Sequence, residues 1–278
     1  MGFVINNNLA ANNSYRNLNS TQTDLSKSLE KLSTGLRINR AGDDAAGLSI
    51  SEGLKSQVTG SAVAARNAQD GISVIQTTEG ALTEVHSILQ RMRDLAVQGG
   101  NDTNNLESRQ AIAKEATALG KELDRIGAST NFNGIKLLDA GTTLKVQVGT
   151  GKDATTEQID IKLGDVPTAV GLLGGAGTDF DVSTAGAAAT TIGKIDDAIG
   201  KISAQRADLG ATQNRLEHTI KSLNIAGENL QAAQSRIADV DMASEMVKFT
   251  KANILSQAGT AMLAQANQSS QGVLSLLR

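Results

Sequence analysis

The chain has 278 residues, a formal net charge of -3 and only 2% aromatic residues, with no cysteine and a single proline, Pro167. Without cysteine there can be no disulfide framework and no thiolate metal site. The slightly acidic balance and the scattered Lys and Arg argue against a nucleic-acid or membrane partner. A core of Leu, Ile, Val and Ala with almost no proline favours long, closely packed helices.

A first helix is predicted from leucines that recur at spacings of seven, four, three and four residues. They are Leu18, Leu25, Leu29, Leu32 and Leu36. The stretch KLSTG predicts that this helix ends at Gly35. Asp43 and Asp44 lie at the predicted start of the next helix, where negative charge is favourable. We favour helix capping over a catalytic carboxylate pair for these two residues, because adjacent side chains at a helix start point in different directions.

Two further helices are predicted before residue 140. The first stops at Gly99 and Gly100, and the second is capped by Asn104, with Glu107 three residues later. Their apolar stripes are Ile75, Leu82, Leu89 and Ala96 in the first helix, and Ile112, Ala116, Leu119, Leu123 and Ile126 in the second. Each stripe needs another helix to pack against.

The middle of the chain changes character. TLKVQVGT and EQIDIKLG alternate apolar and polar residues, and a Gly- and Thr-rich stretch lies between them. This pattern predicts a β-hairpin. The following segment, from VPTAV to AAATT, is rich in Gly, Ala and Thr and predicts a loop.

A long return helix is predicted from about Thr191 to Ile237, which would span roughly 70 Å. Apolar residues recur every seven positions along it: Ile195, Ile202, Leu209, Leu216, Leu223, Leu230 and Ile237. Such a stripe requires other long helices beside it. The predicted fold class is therefore mainly α, with long antiparallel helices forming a coiled-coil rod and a small β-hairpin region near the turn-round point.

The two terminal segments carry no charged side chain, from Met1 to Tyr15 and from Ala252 to Leu277. Amide residues interrupt the C-terminal segment too often for a membrane span. The N-terminus has neither the basic nor the continuous apolar region of a cleaved secretory signal. Because paired termini would still expose apolar surface, we expect other copies of the protein to cover them.

Four stretches together resemble bacterial flagellin: LEKLSTGLRINRAGDDAAGLSIS, ILQRMRDLAVQGGN, TNFNGIKLLD and the closing ANILSQAGTAMLAQANQSSQGVLSLLR. The resemblance covers roughly residues 1–140 and 190–278. It implies an inner helical domain from residues 1–39 and 239–278, a helical domain from 40–140 and 191–238, and a hairpin with a short variable region at 141–190. The short middle implies a form without large outer domains.

The resemblance implies a structural subunit of the flagellar filament that serves motility. Its expected partners are other copies of itself, the flagellar export apparatus, an export chaperone, and the filament cap and junction proteins. It is expected to leave the cell unfolded, without a cleaved signal peptide, and to reside in the extracellular filament. The runner-up functions are a hook–filament junction protein and, in a different class, a secreted coiled-coil effector or adhesin.

We expect the apolar residues of both termini to carry self-assembly. They are Val4, Ile5, Leu9, Leu255, Met262, Val273, Leu274, Leu276 and Leu277. In some family members an Arg, a Leu and a Glu contact an animal Toll-like receptor, and the matching residues here are Arg91, Leu95 and Glu115. The alternative is that Arg91 and Glu115 are solvated helix charges or subunit contacts.

No catalytic constellation is found in the sequence, so an enzyme is not expected. The only histidines, His86 and His218, lie on separate predicted helices, and no cysteine is present to join them in a metal site. GLLGGAG has no Lys and lacks the strand and helix of a phosphate-binding loop, so a flexible turn is favoured. No cofactor is expected.

Overall fold

The computed structural model describes residues 8–139, 141–166 and 180–275, with the backbone alone for 269–275. The fold is mainly α with two small antiparallel sheets, which confirms the predicted fold class. The helices are α1 Leu9–Thr34, α2 Ala45–Gly99, α3 Leu106–Ser129, α4 Ala154–Glu157, α5 Ala185–Ala238 and α6 Met242–Ser275. The strands are β1 Asn131–Phe132, β2 Ile135–Lys136, β3 Thr143–Gln147 and β4 Gln158–Lys162.

The ends of the first two helices follow their sequence signals. Gly35 adopts a left-handed conformation with φ of 74°, and its N–H donates to the Lys31 carbonyl, which closes α1. The Asp44 side chain accepts from the Gly47 N–H at the start of α2. Asp43 acts in the preceding turn instead, where its carboxylate accepts the N–H groups of Arg40 and Asn39. These two backbone hydrogen bonds lower the pKa of Asp43 below its ordinary value.

Two predicted helix starts differ from the structure. The cap of α3 is Asn105, whose side chain accepts from the Ser108 N–H, whereas the Asn104 side chain donates to the Gln98 carbonyl. The return helix α5 begins at Ala185, before the predicted Thr191. The Thr184 hydroxyl accepts from the Ala187 N–H, and the alanines that follow favour the helix.

The chain forms two compact units, which are described separately. The first combines residues up to Gln57 with those from Glu228 onward, and the second runs from Val58 to Gly227. All the largest fully buried side chains lie in the second unit: Ile75, Leu82, Leu89, Met92, Leu95, Leu123, Leu137, Leu138, Ile161, Ile195, Ile202 and Leu209. The second unit therefore has a conventional apolar core.

Within the second unit, α2 runs antiparallel to α5. Glu79 pairs with Arg206, and farther along α2 Arg93 pairs with Asp196 at 2.6 Å. The predicted heptad residues Leu82, Leu89 and Ile202 lie in the core between these contacts. The heptad stripes predicted for α2 and for this part of α5 are thus confirmed.

The predicted hairpin is formed by β3 and β4, with Leu144 opposite Ile161 and Val146 opposite Ile159. It packs beside α2, where the Asn67 side chain donates to the Gln147 carbonyl at 3.1 Å. The small hairpin of β1 and β2 was not predicted. Asn133 and Gly134, with φ of 49° and 80°, form its turn, and Asn-Gly is the usual signal for such a turn.

Replacing Leu82 by Ala should lower the free energy of unfolding of the second unit by about 2–5 kcal/mol, because the side chain is fully buried and its removal leaves a cavity. Leu106→Ala is the matched control, since Leu106 is 72% exposed. Chemical denaturation of both full-length variants measures the difference. Equal effects of the two substitutions would contradict the assignment of Leu82 to the core.

Candidate self-assembly surface

The helices α1 and α6 pair with each other in antiparallel orientation. The Asn8 side-chain amide donates to the Ala266 carbonyl at 3.0 Å. At the other end of the pair, the Ser28 hydroxyl donates to the Glu245 carboxylate at 2.7 Å. Low residue numbers on α1 thus meet high residue numbers on α6, so the first turns of α1 lie beside the later part of α6.

The facing residues of this pair follow a heptad pattern on both helices. On α1 the less exposed positions at this spacing are Ala11, Ser14, Leu18, Thr21, Leu25, Ser28 and Leu32. On α6 the less exposed positions at this spacing are Glu245, Phe249, Ala252, Ser256, Gly259, Leu263 and Ala266. The spacings alternate between three and four residues, as in a coiled coil. We call these fourteen residues the terminal seam.

Small side chains dominate the terminal seam. Eight of its fourteen residues are Gly, Ala, Ser or Thr. At Gly259 a Cβ atom would lie only 3.3 Å from Leu18 Cδ1, so the glycine allows this close approach. Since free energy from apolar burial scales with the buried area, small side chains contribute little to this pairing.

A buried acidic residue lies at one end of the terminal seam. Glu245 is only 4% exposed, and it accepts hydrogen bonds from the Ser28 hydroxyl and from Lys248 Nζ at 2.9 Å. Burial alone would raise the pKa of Glu245, but the bonds from Ser28 and Lys248 and the charges of Lys248 and Lys31 outweigh it and lower the pKa. The carboxylate is therefore charged at neutral pH.

Close in sequence to Glu245, backbone hydrogen bonds join the segment after α1 to the end of α5 and to the residues that lead into α6. The Arg37 N–H donates to the Ala238 carbonyl at 2.7 Å, and the Val240 N–H donates to the Gly35 carbonyl at 3.0 Å. The Arg37 guanidinium also donates to the Ile237 carbonyl at 2.6 Å. Sequence reasoning did not predict this junction, because isolated pairing between loops leaves no periodic pattern.

Large apolar side chains lie on the outside of the α1–α6 pair. They are Leu9, Tyr15, Leu29, Met242, Met246, Val247, Ile254, Leu255 and Met262, with exposed fractions between 49% and 70%. We call this set the outward apolar surface. Met246, Val247, Ile254 and Leu255 line one shallow depression on α6. Nine large apolar side chains exposed beside a seam with eight small residues are not the arrangement expected for a monomer.

Three of the predicted self-assembly residues belong to the outward apolar surface: Leu9, Leu255 and Met262. Their role in assembly remains a prediction. Val273 and Leu274 lie near the end of α6, where only the backbone is described, and Val4, Ile5, Leu276 and Leu277 lie outside the described residues.

Met246, Val247 and Ile254 were not among the predicted assembly residues, although Val247 and Ile254 are seven residues apart and therefore share one helix face. Leu29 was assigned to the inward stripe of α1, but it is 57% exposed. The adjacent residue, Ser28, takes the inward position because it bonds to Glu245.

The predicted receptor-contact residues lie in the second unit. The Arg91 guanidinium donates to the Glu115 carboxylate, with a shortest distance of 2.7 Å, and both side chains are about half exposed. Leu95 is 1% exposed and belongs to the core. Receptor contact by Arg91 and Glu115 remains a prediction, whereas Leu95 would first have to leave the core.

Other kinds of site find little support in the described part of the chain. No group of three or more His, Asp or Glu side chains there could hold a metal ion. None of the helices described is long and apolar enough to span a membrane. His86 Nε2 lies 2.9 Å from the Gln90 side chain on the same helix, which accounts for one of its two ring nitrogens.

Comparison with known proteins decides the family. Residues 5–143 match the bacterial flagellin N-terminal helical region, and residues 192–277 match the bacterial flagellin C-terminal helical region. The chain belongs to the flagellin family. It is 52% identical to a flagellin of Halalkalibacterium halodurans over 278 residues, which cover 99% of this chain and 100% of that one. It is 50% identical to a flagellin of Bacillus subtilis, with 99% of each chain covered.

A solved structure of a putative flagellar hook-associated protein from Vibrio parahaemolyticus is similar in fold, with a TM-score of 0.57 and 12% identity. The matched region covers 71% of this chain and 100% of the hook-associated protein's chain. At this identity the likeness concerns the fold alone. The near-complete matches to flagellins identify a structural protein of the bacterial flagellar filament, as the sequence predicted.

Acid should weaken the α1–α6 pair of this flagellin, in part through Glu245. Because folding lowers the pKa of Glu245, its contribution is complete above the unfolded value of about 4.3 and is lost as the pH falls through the folded pKa. In Glu245→Gln, thermal melting followed by circular dichroism should depend less on pH between about 6 and 3 than in the parent protein.

The control for this experiment is Glu228→Gln, which changes an exposed carboxylate on α5. It should melt with the pH dependence of the parent protein. An unchanged pH dependence in Glu245→Gln would show that the buried carboxylate does not contribute to acid sensitivity.

Proposed function

We propose that this flagellin polymerises by burying the outward apolar surface of its α1–α6 pair against neighbouring copies. The observation that carries the proposal is the set of nine large apolar side chains left exposed outside the terminal seam, in which eight of the fourteen residues are small. Contacts between different faces of successive copies do not close, so they generate an open helical filament. Other copies then cover the surface that a single chain leaves in water.

The energetics favour contact over several residues at once. Fully burying one side chain such as Ile254 or Met262 contributes about 1.5–3 kcal/mol. Association also costs translational freedom and side-chain entropy, so a contact of one or two residues would be weak. From Ala252 to Leu277 the chain has no charged residue, so burying this part of α6 does not require the removal of water from an ion.

The proposal also includes the location of the protein and its route of export. We place the assembled protein in the extracellular filament, after passage through the flagellar export apparatus in an unfolded state. The absence of cysteine supports this route, since no disulfide can form to hinder passage. The export chaperone and the filament cap and junction proteins remain the expected partners.

Ile254→Asp should abolish or strongly slow the elongation of short filament seeds, because it places a charge on the outward apolar surface. Seeded elongation is measured by negative-stain electron microscopy and by sedimentation of polymer. The helical content of the variant should be unchanged, since the Ile254 side chain is 61% exposed and is not part of the terminal seam.

Ile225→Asp is the matched control, because Ile225 is also a helical isoleucine that is 61% exposed, but it lies on α5. It should elongate seeds at a rate closer to that of the parent protein. Normal elongation by Ile254→Asp would show that the outward apolar surface on α6 is not the assembly contact.

A further inference from the structure

We propose that the buried Ser28–Glu245 hydrogen bond sets the register of the terminal seam, which the close approach of Leu18 and Gly259 allows to be read. This proposal rests on the proposed function, because a fixed register matters only if every copy in a filament must present the same surface. A shift of one heptad would move α6 along α1 by about 10 Å. The outward apolar residues on α6 would then be displaced relative to those on α1, such as Leu9 and Tyr15.

Most of the terminal seam would tolerate such a shift. Two sets of seam residues recur at intervals of seven: Ser14, Thr21 and Ser28 on α1, and Glu245, Ala252, Gly259 and Ala266 on α6. The first set consists of hydroxyl residues, and three of the four residues in the second set are small. A repeated pattern of similar side chains does not by itself select one register.

Glu245 is the exception in its set, because it is large and charged. In the observed register it is buried, and its carboxylate accepts from both Ser28 and Lys248. The charged groups around it are Asp24, Lys27 and Lys31 on α1, with Lys248 and Lys251 on α6. A buried polar residue in a coiled-coil seam can specify register, because other registers leave it without a partner.

Gly259 lies at the point where the observed register can be read. A Cβ atom on this residue would lie 3.3 Å from Leu18 Cδ1, which is closer than most side-chain contacts. A heptad shift in either direction would place Ala252 or Ala266 against Leu18 and introduce this crowding. One of the two shifts would also place Glu245 opposite Gly35, beyond the end of α1 at Thr34. The other would bring Glu245 to Thr21, whose hydroxyl can also donate, but would place Asp24 where Lys31 lies in the observed register, so that like charge replaces opposite charge beside the carboxylate.

The register can be read by disulfide formation, since the chain has no native cysteine. A Cβ atom on Gly259 would lie 3.8 Å from Leu18 Cβ, close to the usual separation of about 3.8 Å in disulfides. Leu18→Cys with Gly259→Cys therefore reports the observed register. Leu18→Cys with Ala252→Cys, and Leu18→Cys with Ala266→Cys, report the two shifted registers.

The experiment oxidises each full-length double-cysteine protein after seeded assembly and measures intrachain disulfide by mass spectrometry. With Ser28 and Glu245 intact, the 18–259 disulfide should form, and the shifted disulfides should be rare. In the Ser28→Ala/Glu245→Leu background, a shifted disulfide should rise roughly 10-fold or more, the change expected on losing a hydrogen bond to a charged group. Glu245→Gln should keep the observed register, because its side-chain oxygen still accepts from Ser28.

Gln257→Leu is the control, since it adds the same leucine side chain at an exposed position of α6. It should leave the disulfide pattern unchanged. If the Ser28→Ala/Glu245→Leu background forms only the 18–259 disulfide, the junction of Arg37 with Ala238 sets the register and the proposal is wrong. If that background no longer assembles, the same disulfides are measured in the unassembled protein. There too, a rise in a shifted disulfide supports the proposal, and formation of the 18–259 disulfide alone overturns it.

Mixing a chain that carries only Leu18→Cys with one that carries only Gly259→Cys tests whether the seam lies within one chain. A strong disulfide between these two chains would overturn the proposal. Failure of the parent protein to elongate seeds would instead count against the proposed function. The two failures are therefore distinguishable.

Discussion

The close antiparallel contact between α1 and α6 is the interaction on which the proposed assembly depends. Eight of the fourteen residues in this contact are small or hydroxyl-bearing, and Gly259 marks a point of especially close approach, against Leu18. Filling the interior with small side chains leaves the large apolar ones on the outer faces. The same choice of residues thus limits the stability of the pair in water and creates a surface that other copies can cover.

The two compact units of the chain contrast in how they bury apolar residues. The unit from Val58 to Gly227 contains all the largest fully buried side chains and has ion pairs between its helices, such as Arg93 with Asp196. In the unit formed by the two ends of the chain, the notable buried contact is polar, between Ser28 and Glu245. This contrast fits a subunit in which one unit is stabilised by its own core and the other is completed by assembly.

The heptad spacing of apolar residues predicted α2 and the part of α5 in the second unit well, because there burial and periodicity coincide. The same reasoning misassigned Leu29, since the inward position there is held by the adjacent Ser28, whereas Leu18, Leu25 and Leu32 do lie in the terminal seam. An apolar stripe on a helix identifies a surface that will be buried, but it does not say whether the chain itself or another copy buries it. Asn105 replaced Asn104 as a cap because adjacent asparagines give the same local signal, and the turn geometry decides between them.

Oxidation of the methionines tests the central claim most directly. Met242, Met246 and Met262 are at least half exposed on α6, whereas Met92 is fully buried in the core of the other unit. Brief peroxide treatment of unassembled subunits and of filaments, followed by peptide mass spectrometry, compares the four residues. The account predicts that Met246 and Met262 oxidise readily before assembly and become protected in the filament, while Met92 is protected in both states. Equal oxidation of Met246 and Met262 before and after assembly would contradict burial of the outward apolar surface between copies.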